Sequence, residues 1–265
     1  TEFSLSIENR GFKYGDSFFD TIKCYKGIPL FWSEHYFRIA GSFCLMKMNP
    51  PSNFNMEVFE SMIRDLLIEN NLNTNSARVR ISFFRNNGGH YFPLDNKVNF
   101  IIECENLTNY KYQLNQTGIK ATIYKENVLS KNSINNIKSN NKLINTLASI
   151  YANNNNYDDC ILINTDTQIV ESTSGNIFIV HEDVIKTPLL EDGCVDGVMR
   201  KILLNDKSLK IKESNITFSE LLNADEVFVT NVICGVKWIK NIKNITYTNY
   251  YPKLLIKQLN AKYLI

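Results

Sequence analysis

Three short stretches hold side chains whose types and order could do chemistry together. Ile137-Lys138-Ser139-Asn140-Asn141-Lys142-Leu143 offers an amine in a polar turn ahead of an amphipathic pattern. Val170-Glu171-Ser172-Thr173-Ser174-Gly175-Asn176-Ile177-Phe178 offers a carboxylate just before an apolar strand. Asp196-Gly197-Val198-Met199-Arg200 puts a glycine where a helix opens, and free N–H groups with the helix dipole suit an anion there. A lysine whose amine is partly desolvated forms a Schiff base with an aldehyde. A carboxylate can hold a pyridine nitrogen protonated, so that the ring accepts carbanion charge. An amine, a carboxylate and a phosphate cradle, in that order, are what a pyridoxal phosphate site needs.

Each feature taken alone has a plainer reading. Lys138 could be a solvated lysine, with Lys142, Lys131 and Lys125 as local competitors. Glu171 could be a turn residue accepting backbone N–H bonds. Asp196 could simply cap the helix. Arg38, in the first half of the chain, could lend the phosphate a charge-assisted contact or be an exposed helix arginine. Other chemistries lack their frames. Thr173-Ser174-Gly175 is not a GxSxG elbow, and no HExxH, P-loop or GxGxxG occurs.

Composition narrows the class. The 265 residues suffice for one large domain or two modest ones, and a 44% hydrophobic content is that of a folded chain. The net charge is +2 with no Lys/Arg run, which argues against a nucleic-acid surface. No apolar run is long enough for a bilayer, and Thr1-Glu2-Phe3-Ser4 lacks a signal-peptide pattern. The six cysteines form no CxxC pair and no zinc spacing with the three histidines, so no metal is expected. Reduced thiols and a cytoplasmic location are expected. Cys160, inside an apolar run, reads as a small buried hydrophobe.

The elements that must position these groups read as follows. A strand is expected at Phe3 to Ile7 and a loop from Arg10 to Asp16. A hairpin joins Phe18–Tyr25 to Ile28–Trp32 through Lys26-Gly27. Ser33 should cap a helix from Glu34 to about Lys47, and a second helix should run from about Asn55 to Asn71 with Val58, Met62, Leu66 and Leu67 on one face. Strands follow at Ala77–Phe84 and Val98–Cys104. Asn106 to Gly118 reads as a linker, which divides the chain into an N-terminal lobe, 1–112, and a C-terminal lobe, 113–265, that carries Lys138 and the phosphate turn. In the second lobe a strand is expected near Lys120–Tyr124. A helix should follow Lys138 with Leu143, Leu147 and Ile150 at core spacing. Strands are expected at Asp159–Asn164, Asn176–Val180, Val184–Lys186 and Val227–Asn231. Helices should begin at about Gly197, after the capping box Thr217–Glu220, and at Tyr251. Strands and helices mix without regular alternation, so the class is mixed α+β, in the broad α/β group, and not doubly wound.

With those residues in hand, the chain resembles the class IV, fold-type IV pyridoxal-phosphate enzymes over nearly its whole length. Arg10-Gly11-Phe12-Lys13-Tyr14-Gly15-Asp16-Ser17-Phe18-Phe19-Asp20-Thr21 is similar to the family's R-G-x-x-[YF]-G-D-G-x-[FY]-[ED]-T, with Ser17 in place of its third glycine. His35-Tyr36-Phe37-Arg38-Ile39 resembles H-x-x-R-L, whose arginine binds cofactor phosphate. Lys138 falls in the Schiff-base lysine motif, and Glu171 to Phe178 in E-x-x-x-x-N-[IL]-F. Thr187-Pro188 and Gly193 to Arg200 resemble the phosphate loop.

The resemblance implies two lobes with pyridoxal 5'-phosphate between them and a homodimer acting on a small-molecule amine. It implies Lys138 as the catalytic residue. Arg38, Lys138, Glu171, Ser174, Gly175, Asn176, Gly197, Val198, Met199 and Asn231 would hold the cofactor. Phe19, Arg85, His90 and Tyr91 would line the substrate pocket. Gly193–Arg200, Thr230-Asn231 and Arg85-Asn86-Asn87-Gly88-Gly89 are similar in detail to 4-amino-4-deoxychorismate lyases, although His90 stands where those carry an arginine and Lys237-Trp238 where a proline segment is usual. The alternative is a branched-chain or D-amino acid aminotransferase. Lys138, Glu171 and Arg38 together argue against a catalytically silent relative.

Overall fold

A computed structural model describes residues 4–264, which divide into two compact units. The first runs to Tyr110 and also takes Ile137–Asn141; the second holds Lys111–Asn136 and the chain from Lys142 onward. The Lys138 segment, expected from the sequence in the C-terminal lobe, thus groups with the N-terminal one. Phe19 N–H donates to Lys138 O at 2.9 Å and Asn140 N–H to Ser17 O at 3.1 Å, so the segment is stitched to a strand edge of the first unit.

The first unit comprises α1 (Arg10–Tyr14), β1 (Ser17–Tyr25), β2 (Ile28–Pro29), α2 (Trp32–Leu45), α3 (Met56–Glu69), β3 (Ser76–Arg85) and β4 (Val98–Leu107). Its antiparallel sheet has the order β2-β1-β3-β4. Period-2 alternation puts Ala77, Val79, Ile81 and Phe83 in the core and Arg78, Arg80 and Ser82 on the opposite face. Phe18, Phe43 and Phe83 meet with ring centroids 5.0–5.1 Å apart. Truncating Phe83 to Ala should cost about 3–5 kcal/mol.

Four local expectations shift. Residues 4–7 form no strand, and Phe3 lies outside the described residues. Instead Asn9 N–H turns back to Ser6 O, and the Asn9 side chain caps α1 through Phe12 N–H, so Arg10–Tyr14 is helical where a loop was expected. At α2 the capping position falls on Phe31, left-handed at φ 56°, not on Ser33. Helix α3 is capped by Asn55, and its buried stripe is Phe59, Ile63 and Leu67; of the face the sequence singled out, Leu67 is buried and Val58 is exposed. Both stripes are apolar; the one with the aromatic ring removes more surface from water.

The second unit comprises β5 (Ile119–Ile123), α4 (Leu143–Asn154), β6 (Asp159–Ile163), β7 (Ile169–Ser172), β8 (Asn176–His181), β9 (Val184–Thr187), α5 (Val198–Leu204), β10 (Ile211–Glu213), α6 (Phe218–Leu222), β11 (Glu226–Asn231), β12 (Gly235–Ile242), β13 (Ile245–Thr246) and α7 (Tyr250–Tyr263). The pairing path β8-β11-β12-β5-β6-β7 returns to β8 through Glu171 opposite Asn176, so these strands close on themselves. Ile119, Ala121, Ile161, Ile177, Ile179, Val227, Val229 and Ile239 fill the inside. The β12–β5 and β5–β6 pairs are parallel and most others antiparallel, which is the mixed class expected.

The expected inner face of α4 is turned outward. Leu143, Leu147 and Ile150 are exposed, and Ala148 and Ala152 pack against Tyr124, Cys160, Leu162 and Val170. Large side chains already fill that side of the sheet, and only small ones let the helix approach. The expected linker is also structured. Strand β4 runs to Leu107, and Tyr112 is buried, its hydroxyl donating to Val232 O at 2.9 Å. No helix among the described residues is long and apolar enough to cross a membrane.

Candidate active site

In the first unit, the bond pattern that stitches 137–141 to β1 sets the amine beside an aromatic ring. Lys138 Nζ lies 5.0 Å from the centroid of Phe19. The guanidinium of Arg80 stacks on the same ring at 3.7 Å. Arg80 Nε donates to Ser82 Oγ at 3.0 Å, and the terminal nitrogens have no hydrogen-bond partner among the described residues. Burial holds the Arg80 pKa below the usual arginine value, aided by Arg78 and opposed by Glu103. Sequence reasoning missed Arg80. Its signal is a cation on a strand that alternates with Val79 and Ile81, which reads equally well as a solvated face.

Arg38 lies on α2 against a buried carboxylate. Its Nε donates to Asp20 Oδ2 at 3.0 Å and one terminal nitrogen to Oδ1 at 2.6 Å. His35 Nδ1 is 2.7 Å from the same Oδ1. Burial works against the charge on Asp20, yet Arg38 and His35 outweigh it and hold the carboxyl well below the usual carboxylate range. In His35 burial wins and lowers the pKa, with Asp20 opposing it and Arg38 and Lys138 adding to it.

Arg85, expected to meet substrate, is committed elsewhere. It is buried and donates to Asp16 Oδ2 at 2.9 Å, Lys47 O at 3.0 Å, Asn96 Oδ1 at 2.5 Å and Met46 O at 2.7 Å. Those bonds tie the end of α2 to the start of the loop that follows β3. Asp16 also pairs with Arg10 at 2.9 Å, whose Nη1 donates to the carbonyls of Gly88 at 3.0 Å and His90 at 2.5 Å. This clamp holds the loop that carries His90 and Tyr91 at its tip, where both are exposed. Gly89 sits at φ 73°, and a Cβ there would come within 2.2 Å of Phe92 O, so the tip needs glycine.

In the second unit Glu171 is on β7, buried, with Oε2 accepting Val195 N–H at 2.9 Å. Asn176, opposite it on β8, donates from Nδ2 to Val195 O at 2.8 Å. Ser174 and Gly175 form the turn between these strands. Ser172 Oγ accepts both their N–H groups at 3.2 Å, and buried Asp159 accepts from the Ser174 hydroxyl at 3.0 Å. Asn231 ends β11 and donates to Ser174 O at 3.1 Å. Asp159, absent from the sequence expectations, is the anchor of this turn.

Val198 and Met199 open α5 behind Gly197, which offers no side-chain cap, and Asp196 lies one residue outside. A Cβ at Gly197 would meet Asn176 Oδ1 at 1.9 Å, so the backbone passes the Asn176 side chain where only glycine fits. Thr230, paired with Asn176 across β8–β11, is buried with its hydroxyl unpartnered among the described residues. Uncapped amides, a glycine approach and an orphaned hydroxyl are what a bound phosphorylated group would satisfy. The Cys194 thiol beside this loop is pushed up to about 12 by burial, which leaves it inert. Among the described residues no group of three or more His, Cys, Asp or Glu could hold a metal ion.

Comparison with known proteins adds independent observations. The family profile for amino-transferase class IV matches residues 17–242. A D-alanine aminotransferase of Listeria monocytogenes is 24% identical over 248 residues, covering 91% of this chain and 83% of its own. An aminodeoxychorismate lyase of Vibrio harveyi is 25% identical over 243 residues, covering 90% and 87%. The solved branched-chain amino acid aminotransferase of Escherichia coli superposes with a TM-score of 0.84 at 22% identity, over 96% of this chain and 87% of that one; the likeness is one of fold.

Proposed function

The chain belongs to the amino-transferase class IV family, whose enzymes use pyridoxal phosphate, and on that premise we propose that it is a 4-amino-4-deoxychorismate lyase releasing 4-aminobenzoate and pyruvate. The observation that carries this reading is the pair of cations on one ring, Lys138 and Arg80 flanking Phe19. Arg80 supplies a carboxylate reader near the reacting amine, a role in which it replaces Arg85. A flat ring and a guanidinium suit a planar carboxylated substrate better than a short aliphatic side chain.

When bound, the cofactor supplies an electron sink for the charge left on the carbon that loses its proton. Lys138 would hold the group through its amine and would be the base that takes that proton. Glu171 would keep the ring nitrogen charged; Arg38, and the amides of Val198 and Met199, would hold the phosphate. Ser174, Gly175, Asn176 and Asn231 shape the surrounding turn. In the lyase reaction the carbon bearing the amine would lose its proton, the bond from the ring carbon to the ether oxygen would break, and the departing enolpyruvate would take up a proton at its methylene carbon to become pyruvate as the ring becomes aromatic.

A transaminase shares the first steps and remains the second reading, favoured by the likeness to the D-alanine enzyme. One assay separates them. 4-Aminobenzoate and pyruvate released from 4-amino-4-deoxychorismate support the lyase. Glutamate formed from D-alanine or leucine with 2-oxoglutarate, and no 4-aminobenzoate, overturns it.

The same reading includes a homodimer. The clamped loop presents Tyr91, Phe92 and Leu94 at 90%, 85% and 77% exposure, and an apolar tip held rigid supports docking against a second copy. The six free thiols support a reducing, cytoplasmic setting.

A further inference from the structure

On the side of β1 that faces the core, Phe18, Ile22 and Cys24 are apolar and Asp20 is not. A carboxylate that is 1% exposed is costly unless its oxygens are met. Here they are. Oδ1 accepts from Thr21 N–H at 2.6 Å, from Arg38 at 2.6 Å and from His35 Nδ1 at 2.7 Å, and Oδ2 accepts Arg38 Nε at 3.0 Å. An ionised carboxylate only accepts, so Nδ1 carries the proton and Nε2 the lone pair.

That lone pair is the informative atom. His35 is fully buried, and its Nε2 has no hydrogen-bond partner among the described residues. A residue present only to fill space would be apolar and leave no orphan. What the ring does here is donate to Asp20. His35 and Arg38 stand three residues apart on α2, on one face, so a single carboxylate spans both.

We propose that Asp20 and His35 are positioning residues for Arg38. The carboxylate fixes the plane of the guanidinium by two-point contact, and the imidazole fixes the carboxylate, so that Arg38 meets the phosphate of the cofactor in one orientation. This rests on the reading of Arg38 as a phosphate ligand. The consequence is selectivity: the set distinguishes pyridoxal phosphate from pyridoxal, which lacks the group Arg38 is aimed at.

The test is the ratio of two dissociation constants, measured by titrating apoprotein with pyridoxal phosphate and with pyridoxal. Wild type should prefer the phosphorylated form by about a hundredfold or more. Asp20→Asn should cut that ratio at least tenfold. His35→Leu should reduce it as well, and His35→Asn should keep it, because the amide nitrogen takes the place of Nδ1. A purely structural role would weaken both ligands together and leave the ratio unmoved. If Asp20→Asn fails to fold, the His35 pair carries the test. An unchanged ratio in His35→Leu and in folded Asp20→Asn overturns the proposal. No preference in wild type overturns the reading of Arg38 first, and the proposal with it.

Discussion

Glu171 and Asn176 grip the two ends of one residue's backbone: Glu171 Oε2 accepts the N–H of Val195 at 2.9 Å and Asn176 donates to its carbonyl at 2.8 Å. The same two residues face each other where β7 meets β8 and the ring of strands closes. A carboxylate and the loop that leads into α5 are therefore held to one register. Glu171→Gln keeps an acceptor for Val195 but removes the charge. Its rate should fall by about two orders of magnitude, roughly 3 kcal/mol of barrier, with cofactor still bound. A variant as fast as wild type would leave Glu171 only its grip on Val195.

Lys138 is expected to be the covalent anchor. Borohydride treatment of the loaded protein, followed by digestion and mass spectrometry, should find the cofactor on the peptide containing Lys138. Finding it on Lys142 or Lys131 would sink the assignment. Lys138→Ala should lose turnover and keep some non-covalent cofactor binding.

What could be read from the sequence follows from the range of the interactions involved. The alternation of Ala77, Val79, Ile81 and Phe83 and the capping box of Thr217 with Glu220 are local patterns, and both elements formed where expected. Strand β12 carries Lys237 and Lys240 and pairs with β5 and β11, so no local pattern revealed it. In α4 the spacing of Leu143, Leu147 and Ile150 shows a stripe but not which side is covered, and the alanines opposite won on fit. The site followed the same rule. Lys138, Glu171 and Arg38 stood out because the proposed chemistry would need those side chain types, whereas Arg80 gains meaning only once Phe19 lies under it.

The proposed homodimer makes a hydrodynamic prediction. Arg10 reaches the loop carbonyls from a buried position, so the apolar tip is presented in a fixed shape. Sedimentation should give twice the 30.6 kDa of the single chain. Arg10→Ala should weaken the association along with activity. Full activity from a single-chain species at high dilution would refute the dimer.

Stability should fall with acid in two windows. His35 is held neutral by burial, with Arg38 and Lys138 adding to that against Asp20. Below its ordinary value of 6.5 the unfolded chain takes up the proton first, so stability drops as pH falls from there. Asp20 has a depressed carboxyl, despite burial, because of Arg38 and His35. Its contribution is present above the unfolded value of 3.8 and is lost as pH falls toward the folded one. Urea midpoints measured from pH 7 to 3 should show a shallower upper slope in His35→Asn and a shallower lower slope in Asp20→Asn. Slopes identical to wild type in both would count against these assignments.

The last prediction separates two arginines that stand five positions apart on β3. Arg85 donates to a carboxylate, a side-chain amide and two carbonyls from a buried position. Removing it leaves Asp16 short of a partner and the end of α2 uncapped, so Arg85→Ala should cost about 3–5 kcal/mol in unfolding. Its effect on catalysis should follow the folded fraction. Arg80 makes one hydrogen bond to Ser82, a loose, solvent-exposed ion pair with Glu103 at 3.7 Å and a stack on Phe19, so Arg80→Gln should barely change the melting temperature. It should instead raise KM for a carboxylated substrate by roughly tenfold or more, the loss of a charge-assisted contact. A stable Arg85→Ala with a raised KM, beside an Arg80→Gln with wild-type kinetics, would return the substrate role to Arg85.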